Sequence, residues 1–72
     1  MIREDDLWIT KHAAEKMVIE GISVNDVCRA LERGSKFQQT DGILCVYLYY
    51  SIAYKKIEDK YKIKTVFSNK NG

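Results

Sequence analysis

The sequence predicts an α+β domain in which two N-terminal helices pack on one face of a three- or four-stranded antiparallel meander. Apolar residues recur at helical spacing up to Gly34 and mostly at every second position beyond it. The 72 residues contain no proline, internal repeat or linker-like tract, which indicates one domain over residues 1–72. A chain of this length buries only about 60% of its unfolded surface, so we expect a small core.

The first helix is predicted over Lys11–Glu20. Thr10 is a suitable N-cap, and Gly21 can adopt the left-handed conformation that ends a helix. Apolar residues at three- and four-residue spacing form one stripe of this helix, which we expect to be buried. The stripe comprises Ala13, Ala14, Met17 and Val18.

A second helix is predicted over Val24–Arg33. Ser23 and Asp26 have the spacing of a capping box, and Gly34 marks the end of the segment. Because only a few residues separate the two helices, we expect them to form an angled pair. Their shared buried residues are predicted to be Met17, Val18, Ile22, Val27 and Leu31.

The rest of the chain predicts strands. Asp41 and Gly42 form a two-residue hairpin signal, and turns are expected near residues 48–49 and 58–60. The predicted strands are 37–40, 43–48, 50–57 and 60–67, and a polar tail over residues 68–72 is expected to leave the sheet. Alternation in the last strand places Lys60, Lys62 and Lys64 on one face and Tyr61, Ile63, Thr65 and Phe67 on the other.

Residues 1–8 leave two interpretations open. Ile2, Leu7 and Trp8 are compatible with a short edge strand. Alternatively, Trp8 acts as a hydrophobic lid on the helical pair, which is the interpretation that we favour from the sequence.

The composition excludes several classes of protein. Cys28 and Cys45 lack the close spacing of a zinc or redox motif, so we expect buried, reduced thiols in a cytoplasmic protein. A single histidine and the absence of a glycine-rich phosphate loop predict neither a metal nor a small-molecule cofactor. No apolar run approaches the roughly 20 residues that cross a bilayer, so no membrane association is expected.

Positive charge is concentrated in the second half of the chain. Residues 37–72 hold six lysines against three acidic residues. Such a bias is typical of a surface that binds a polyanion. Lysines on strands also keep sheet faces soluble and protect sheet edges, and this alternative stays open.

Three segments resemble a widespread family of small bacterial and archaeal proteins that carry a domain of unknown function. The matching residues run from His12 to Met17 (His-Ala-Ala-Glu-Lys-Met), from Gly21 to Ser23 (Gly-Ile-Ser) and from Thr65 to Phe67 (Thr-Val-Phe), with Val27 and Leu31 between them. That family is grouped by fold with RelE-, ParE- and BrnT-like toxins, several of which are metal-independent endoribonucleases. Lys16 and Glu20 depart from the resemblance, since arginine is usual at both positions.

The resemblance implies a toxin-like RNA-binding protein and, if the chain is an enzyme, a metal-independent endoribonuclease. Such a reaction needs a base, a cation and an acid close together. His12 is the candidate base, because free N–H groups and the helix dipole in the first turn disfavour its protonated form. Lys16 is the candidate cation one turn further on, and Tyr54 is a candidate phenol on the sheet. Each also has a plain structural interpretation, as an exposed or packing residue.

Five further cations are candidates for RNA binding: Arg29, Arg33, Lys60, Lys62 and Lys64. The arginines are equally compatible with a solvated helix face, and the lysines with an exposed sheet face. The partners implied are RNA or the ribosome, an antitoxin-like protein, or a second copy of the chain. The alternative function is a non-catalytic interaction module that dimerises or pairs with a partner through a sheet edge.

Overall fold

The computed structural model of the chain describes residues 1–68, in which two helices and a short 3-10 turn accompany a five-stranded sheet. The elements, in chain order, are the 3-10 turn Glu4–Asp6, β1 (Leu7–Ile9), α1 (Lys11–Glu20), α2 (Val24–Arg33), β2 (Ser35–Gln39), β3 (Gly42–Tyr47), β4 (Tyr50–Ile57) and β5 (Lys60–Ser68). Ser68, which was predicted to begin the polar tail, belongs to β5, and the rest of that predicted tail, residues 69–72, lies outside the described part of the chain.

Both helices have the predicted bounds, and their caps explain why. The Thr10 hydroxyl accepts a hydrogen bond from the Ala13 N–H at 3.2 Å, and Gly21 ends α1 with a φ of 71°. At the start of α2, the Ser23 hydroxyl accepts from the Asp26 N–H at 3.1 Å while the Asp26 carboxylate accepts from the Ser23 N–H at 3.0 Å. The α+β class and both capping predictions are confirmed.

The sheet differs from the predicted meander. Its strand order is β1-β5-β4-β3-β2, and β1 runs parallel to β5, so the sheet is mixed and has five strands. The prediction of three or four antiparallel strands was wrong because β1 has only three residues, too few for a periodic pattern. The Thr10 hydroxyl anchors this strand by donating to the Ile63 carbonyl at 2.8 Å.

Trp8 is consequently a strand residue. Leu7 and Ile9 pack against the core, so the side chain between them points to the opposite face of the sheet. The preferred interpretation of Trp8 as a lid on the helices was wrong, and the edge-strand alternative is the one observed.

A β-bulge reverses the side-chain alternation within β5. Tyr54 pairs with Ile63 but Ala53 pairs with Thr65, which leaves Lys64 as the extra residue. Beyond the bulge, Val66 is fully buried and Phe67 is 36% exposed. The predicted common face for Ile63 and Phe67 was therefore wrong, because an inserted residue shifts the two-residue period by one.

The core lies between the helices and one sheet face. Met17, Ile22, Val27 and Leu31 are buried as predicted, but Val18 is 83% exposed. The other buried apolar residues are Ala13, Cys28, Ala30, Cys45, Tyr50, Ile52, Tyr54, Ile63 and Val66. Ala14 is also exposed, contrary to prediction, because α1 rests on β5 through a narrower stripe than the spacing indicated.

Cys28 and Cys45 are buried free thiols, as predicted, and burial raises the pKa of both. Over residues 1–68, neither helix has the length and apolar character required to span a bilayer.

Candidate nucleic-acid interface

The helices cover only one face of the sheet. α1 packs on β5, and α2 packs on β3 and β4, where core residues such as Cys45 and Ile52 lie beneath them. No helix in residues 1–68 covers the opposite face. We call this surface the open face; its side chains are Trp8, Phe37, Leu44, Val46, Ala53, Lys55, Lys62, Lys64 and Phe67.

Cross-strand pairing brings the aromatic and apolar part of the open face together. Phe37 pairs with Leu44, and Leu44 in turn pairs with Ala53, so these side chains form a row across β2, β3 and β4. Phe67 lies one row away, opposite Ser51. Phe37 is 51% exposed, so much of its ring is available for contact with another molecule.

A cationic row borders this part of the open face. Lys55 pairs with Lys62 across β4 and β5, and Lys62 pairs with Trp8 on β1. The Lys62 ammonium lies 4.9 Å from the centre of the Trp8 ring, within the range of a cation–π contact. Because Trp8 is 51% exposed, the Trp8–Lys62 pair combines an accessible aromatic ring with a positive charge.

Asp41, in the β2–β3 turn, partly neutralises the cationic row. Its carboxylate oxygens lie 3.3 Å from the Lys55 ammonium and 3.4 Å from that of Lys64. The hydrogen bond from Lys55, the charge of Lys55 and then the same two effects of Lys64 lower the pKa of Asp41. The carboxylate thus stays charged, and it lies with Lys64 in a shallow depression that Leu44 and Phe67 also line.

The candidate catalytic residues lie in different surroundings. His12 is exposed on α1, and its imidazole makes no hydrogen bond or ion pair with any other residue of the described chain. Lys16, one turn along, forms an ion pair with Glu20 at 3.3 Å. Both residues belong to the helical layer.

Tyr54 lies in the hydrophobic core beneath the helices and is 4% exposed. Burial raises the pKa of its phenol, with smaller contributions from Cys45 and Tyr61. A phenol in this environment holds its proton tightly and packs against neighbouring apolar side chains, so its position fits the structural interpretation of this tyrosine.

The predicted RNA-binding residues divide between the two layers. Arg29 forms an ion pair with Asp26 on α2 at 3.4 Å, and Arg33 is exposed at the end of that helix. Lys62 and Lys64 lie together on the open face. Lys60, at the start of β5, donates a hydrogen bond to the Asp5 carbonyl.

Sequence reasoning missed four open-face residues: Trp8, Phe37, Lys55 and Phe67. For Lys55 a signal was present, because Lys55 and Ala53 alternate with Tyr54 along one strand and therefore share the face opposite to Tyr54. The position of Phe67 depends on the bulge, and that of Trp8 depends on the parallel pairing of β1.

Neither a protein-family model, nor a curated protein, nor a solved structure matches this chain. Within residues 1–68, no group of three or more histidine, cysteine or acidic residues has the arrangement of a metal site.

Proposed function

We propose that this protein binds single-stranded RNA on the open face. The observation that carries the proposal is the Trp8–Lys62 pair, in which an exposed indole and an ammonium lie 4.9 Å apart on a surface without a helical cover. Exposed Phe37 and Phe67 and the neighbouring cations Lys55 and Lys64 belong to the same face.

Aromatic rings and cations on one surface have a direct use in RNA binding. An unpaired base stacks on an exposed aromatic ring, and each such contact contributes about 1–3 kcal/mol. Lysine ammonium groups bind the phosphates between the bases and release counterions. The open face provides both kinds of group along adjacent strands, which suits a chain that lies across the sheet.

A single strand fits this surface better than a duplex. The bases of an RNA duplex are stacked inside the helix, where a ring on a flat sheet cannot reach them. Trp8 and Phe37 would therefore contribute little to duplex binding, and only the lysines would contact its phosphates. The resemblance to the toxin-related family independently favours RNA as the polyanion.

The proposal concerns binding, because the candidate acid for cleavage, Tyr54, is buried while the candidate base, His12, is exposed. His12 and Lys16 belong to the helical layer, and Tyr54 lies in the core. A base, a cation and an acid act on one phosphodiester only when they converge on it.

The decisive experiment uses Trp8 as the probe, since it is the sole tryptophan of the chain. Titration with a single-stranded oligouridine RNA should quench its fluorescence by stacking. Lys62→Ala should weaken binding and lower the slope of log affinity against log salt by about 0.7, the value for one phosphate contact to a single strand. Lys56→Ala is the matched control, because Lys56 belongs to the same sheet but lies over the Tyr61 ring on the helix-covered side.

The outcomes are distinct. Quenching by single-stranded RNA, reduced in Lys62→Ala and unchanged in Lys56→Ala and His12→Ala, would support the proposal. Equal effects of Lys62→Ala and Lys56→Ala would indicate a nonspecific charge effect and contradict it. RNA that binds without altering Trp8 fluorescence would exclude the open face as the binding surface.

A further inference from the structure

The second strand, β2, forms a free edge of the sheet. All five of its residues are exposed, and among residues 1–68 it pairs with β3 alone. An unpaired strand edge presents N–H and C=O groups to which another strand can bind. The opposite edge, β1, has three residues and offers a much shorter template.

The hairpin that follows β2 determines which backbone groups are free. Gln39 and Gly42 flank a two-residue turn and close the β2–β3 pair, so hydrogen-bonded pairs alternate from that point. Gln39, Phe37 and Ser35 then direct their backbone groups to β3. Lys36 and Gln38 direct theirs outward, to the edge.

We propose that two copies of the chain dimerise through β2, antiparallel and centred on Phe37. In this arrangement Phe37 lies opposite its own copy, and Lys36 lies opposite Gln38 of the other chain. The outward backbone groups of those two residues then form four hydrogen bonds across the two-fold axis. Ser35 faces Gln39, so all five residues of β2 find a partner.

The residues of β2 complement a second copy of the same strand, which favours another copy of this chain as the partner at this edge. Lys36 is the one charged residue of β2, and pairing centred on Phe37 keeps the two lysines apart. A pairing centred on Lys36 would oppose like charges, which destabilises a sheet. The half-exposed Phe37 ring would contact the Phe37 ring of the other copy. These two residues form a pair without backbone hydrogen bonds, and side chains lie closest together in pairs of that kind.

The dimer would be a continuous ten-stranded sheet with two open faces side by side. This inference stands independently of RNA binding, since the contacts that carry it are those of the β2 edge. Its failure would leave the RNA proposal intact, because each copy would still present Trp8 and Lys62.

Charge substitution at Gln38 tests the register, because this exposed side chain would lie opposite Lys36 of the other copy. Gln38→Lys would create two repulsive pairs, and Gln38→Glu would create two attractive ones. By sedimentation equilibrium we expect a dimeric wild-type protein, dimerisation weaker by about fivefold in Gln38→Lys, and a tighter dimer in Gln38→Glu. Both differences should decrease as salt rises.

Cysteine cross-linking gives a second readout of the same register. Phe37→Cys would place two thiols opposite each other at the geometry of a disulfide, so mild oxidation should yield a covalent dimer. Gln39→Cys is the matched control, since its copies would lie at opposite ends of the paired strands. The native cysteines are buried and contribute no background.

A wild-type protein that remains monomeric at every concentration would overturn the proposal. Equal effects of the two Gln38 substitutions, or equal cross-linking of Phe37→Cys and Gln39→Cys, would overturn the register. The far-ultraviolet circular dichroism of each variant verifies that it has folded.

Discussion

The Tyr50 hydroxyl donates a hydrogen bond to the Asp26 carbonyl at 2.8 Å, and this bond joins the start of β4 to the first turn of α2. Tyr50 is 2% exposed. Burial, followed by the charge of Asp26, raises the pKa of its phenol to about 12, against an ordinary value of 10.0. The Tyr50 side chain therefore links the helical layer to the sheet, and its raised pKa keeps the phenol protonated over a wider pH range.

Tyr50 should make stability depend on pH in the alkaline range. Its folded pKa is raised, so its contribution is fully present below pH 10.0 and is lost as pH rises towards about 12. We expect a loss of about 2–3 kcal/mol across that range, measured by urea unfolding at several pH values. Tyr50→Phe should cost about 1 kcal/mol at neutral pH by removing the hydrogen bond, and should show a weaker alkaline loss. Identical alkaline losses in both proteins would contradict this assignment.

Removal of the Asp41 charge should strengthen RNA binding. Asp41→Asn eliminates the carboxylate that pairs with Lys55 and Lys64, while asparagine before Gly42 keeps a favourable turn sequence. We expect a severalfold gain in affinity and a steeper salt dependence, because Lys55 loses its ion-pair partner and Lys64 keeps only its hydrogen bond to the Asp41 backbone carbonyl. Fluorescence titration measures this effect, and Glu58→Gln, which removes one carboxylate from the β4–β5 turn instead, is the control. Weaker binding by Asp41→Asn would count against the open face.

Adjacent residues of α1 should differ sharply in their contributions to stability. Met17→Ala removes a buried side chain and should cost about 3 kcal/mol in the free energy of unfolding. Val18→Ala alters an 83% exposed position and should be neutral or stabilising by up to about 0.5 kcal/mol, because alanine favours the helix. Chemical denaturation of the two variants measures the difference. Comparable losses would show that α1 is rotated from its described position.

Gly34 and Gly21 should respond to alanine for different reasons. A Cβ at Gly34 would lie 2.6 Å from the Cys45 sulfur and 2.7 Å from the Ala30 and Val46 carbonyl oxygens, although its φ of −75° suits any residue. A Cβ at Gly21 would meet no atom within 4 Å apart from its neighbours along the chain, but the φ of 71° lies in the left-handed region that favours glycine. Gly21→Ala should therefore cost about 1–2 kcal/mol of backbone strain.

We expect Gly34→Ala to cost more than Gly21→Ala, because two of the close contacts are with backbone atoms that cannot rotate away. Thermal unfolding of both variants provides the comparison. A larger loss in Gly21→Ala would indicate that the α2–β2 junction has room to relax.

The sequence by itself determined the local structure. Thr10, Gly21 and Ser23 specify the bounds of α1 and α2 through hydrogen bonds and φ angles within a few residues of each helix end. The Asp41-Gly42 pair likewise indicates the β2–β3 hairpin, although the two turn residues are Thr40 and Asp41 and Gly42 begins β3. Such features depend on neighbouring residues and are therefore readable in order along the chain.

Tertiary structure alone decided which residues share a surface. The parallel pairing of β1 joins Leu7 to Tyr61, distant in sequence, and the bulge at Lys64 moves Phe67 to the open face. Neither feature leaves a periodic signal in the sequence. The strand β1 has only three residues, and the bulge shifts the alternation of β5 by a single inserted residue. The sequence accordingly indicated lysines and aromatic residues, whereas long-range strand pairing placed Trp8 beside Lys62 and left His12 and Tyr54 in different surroundings.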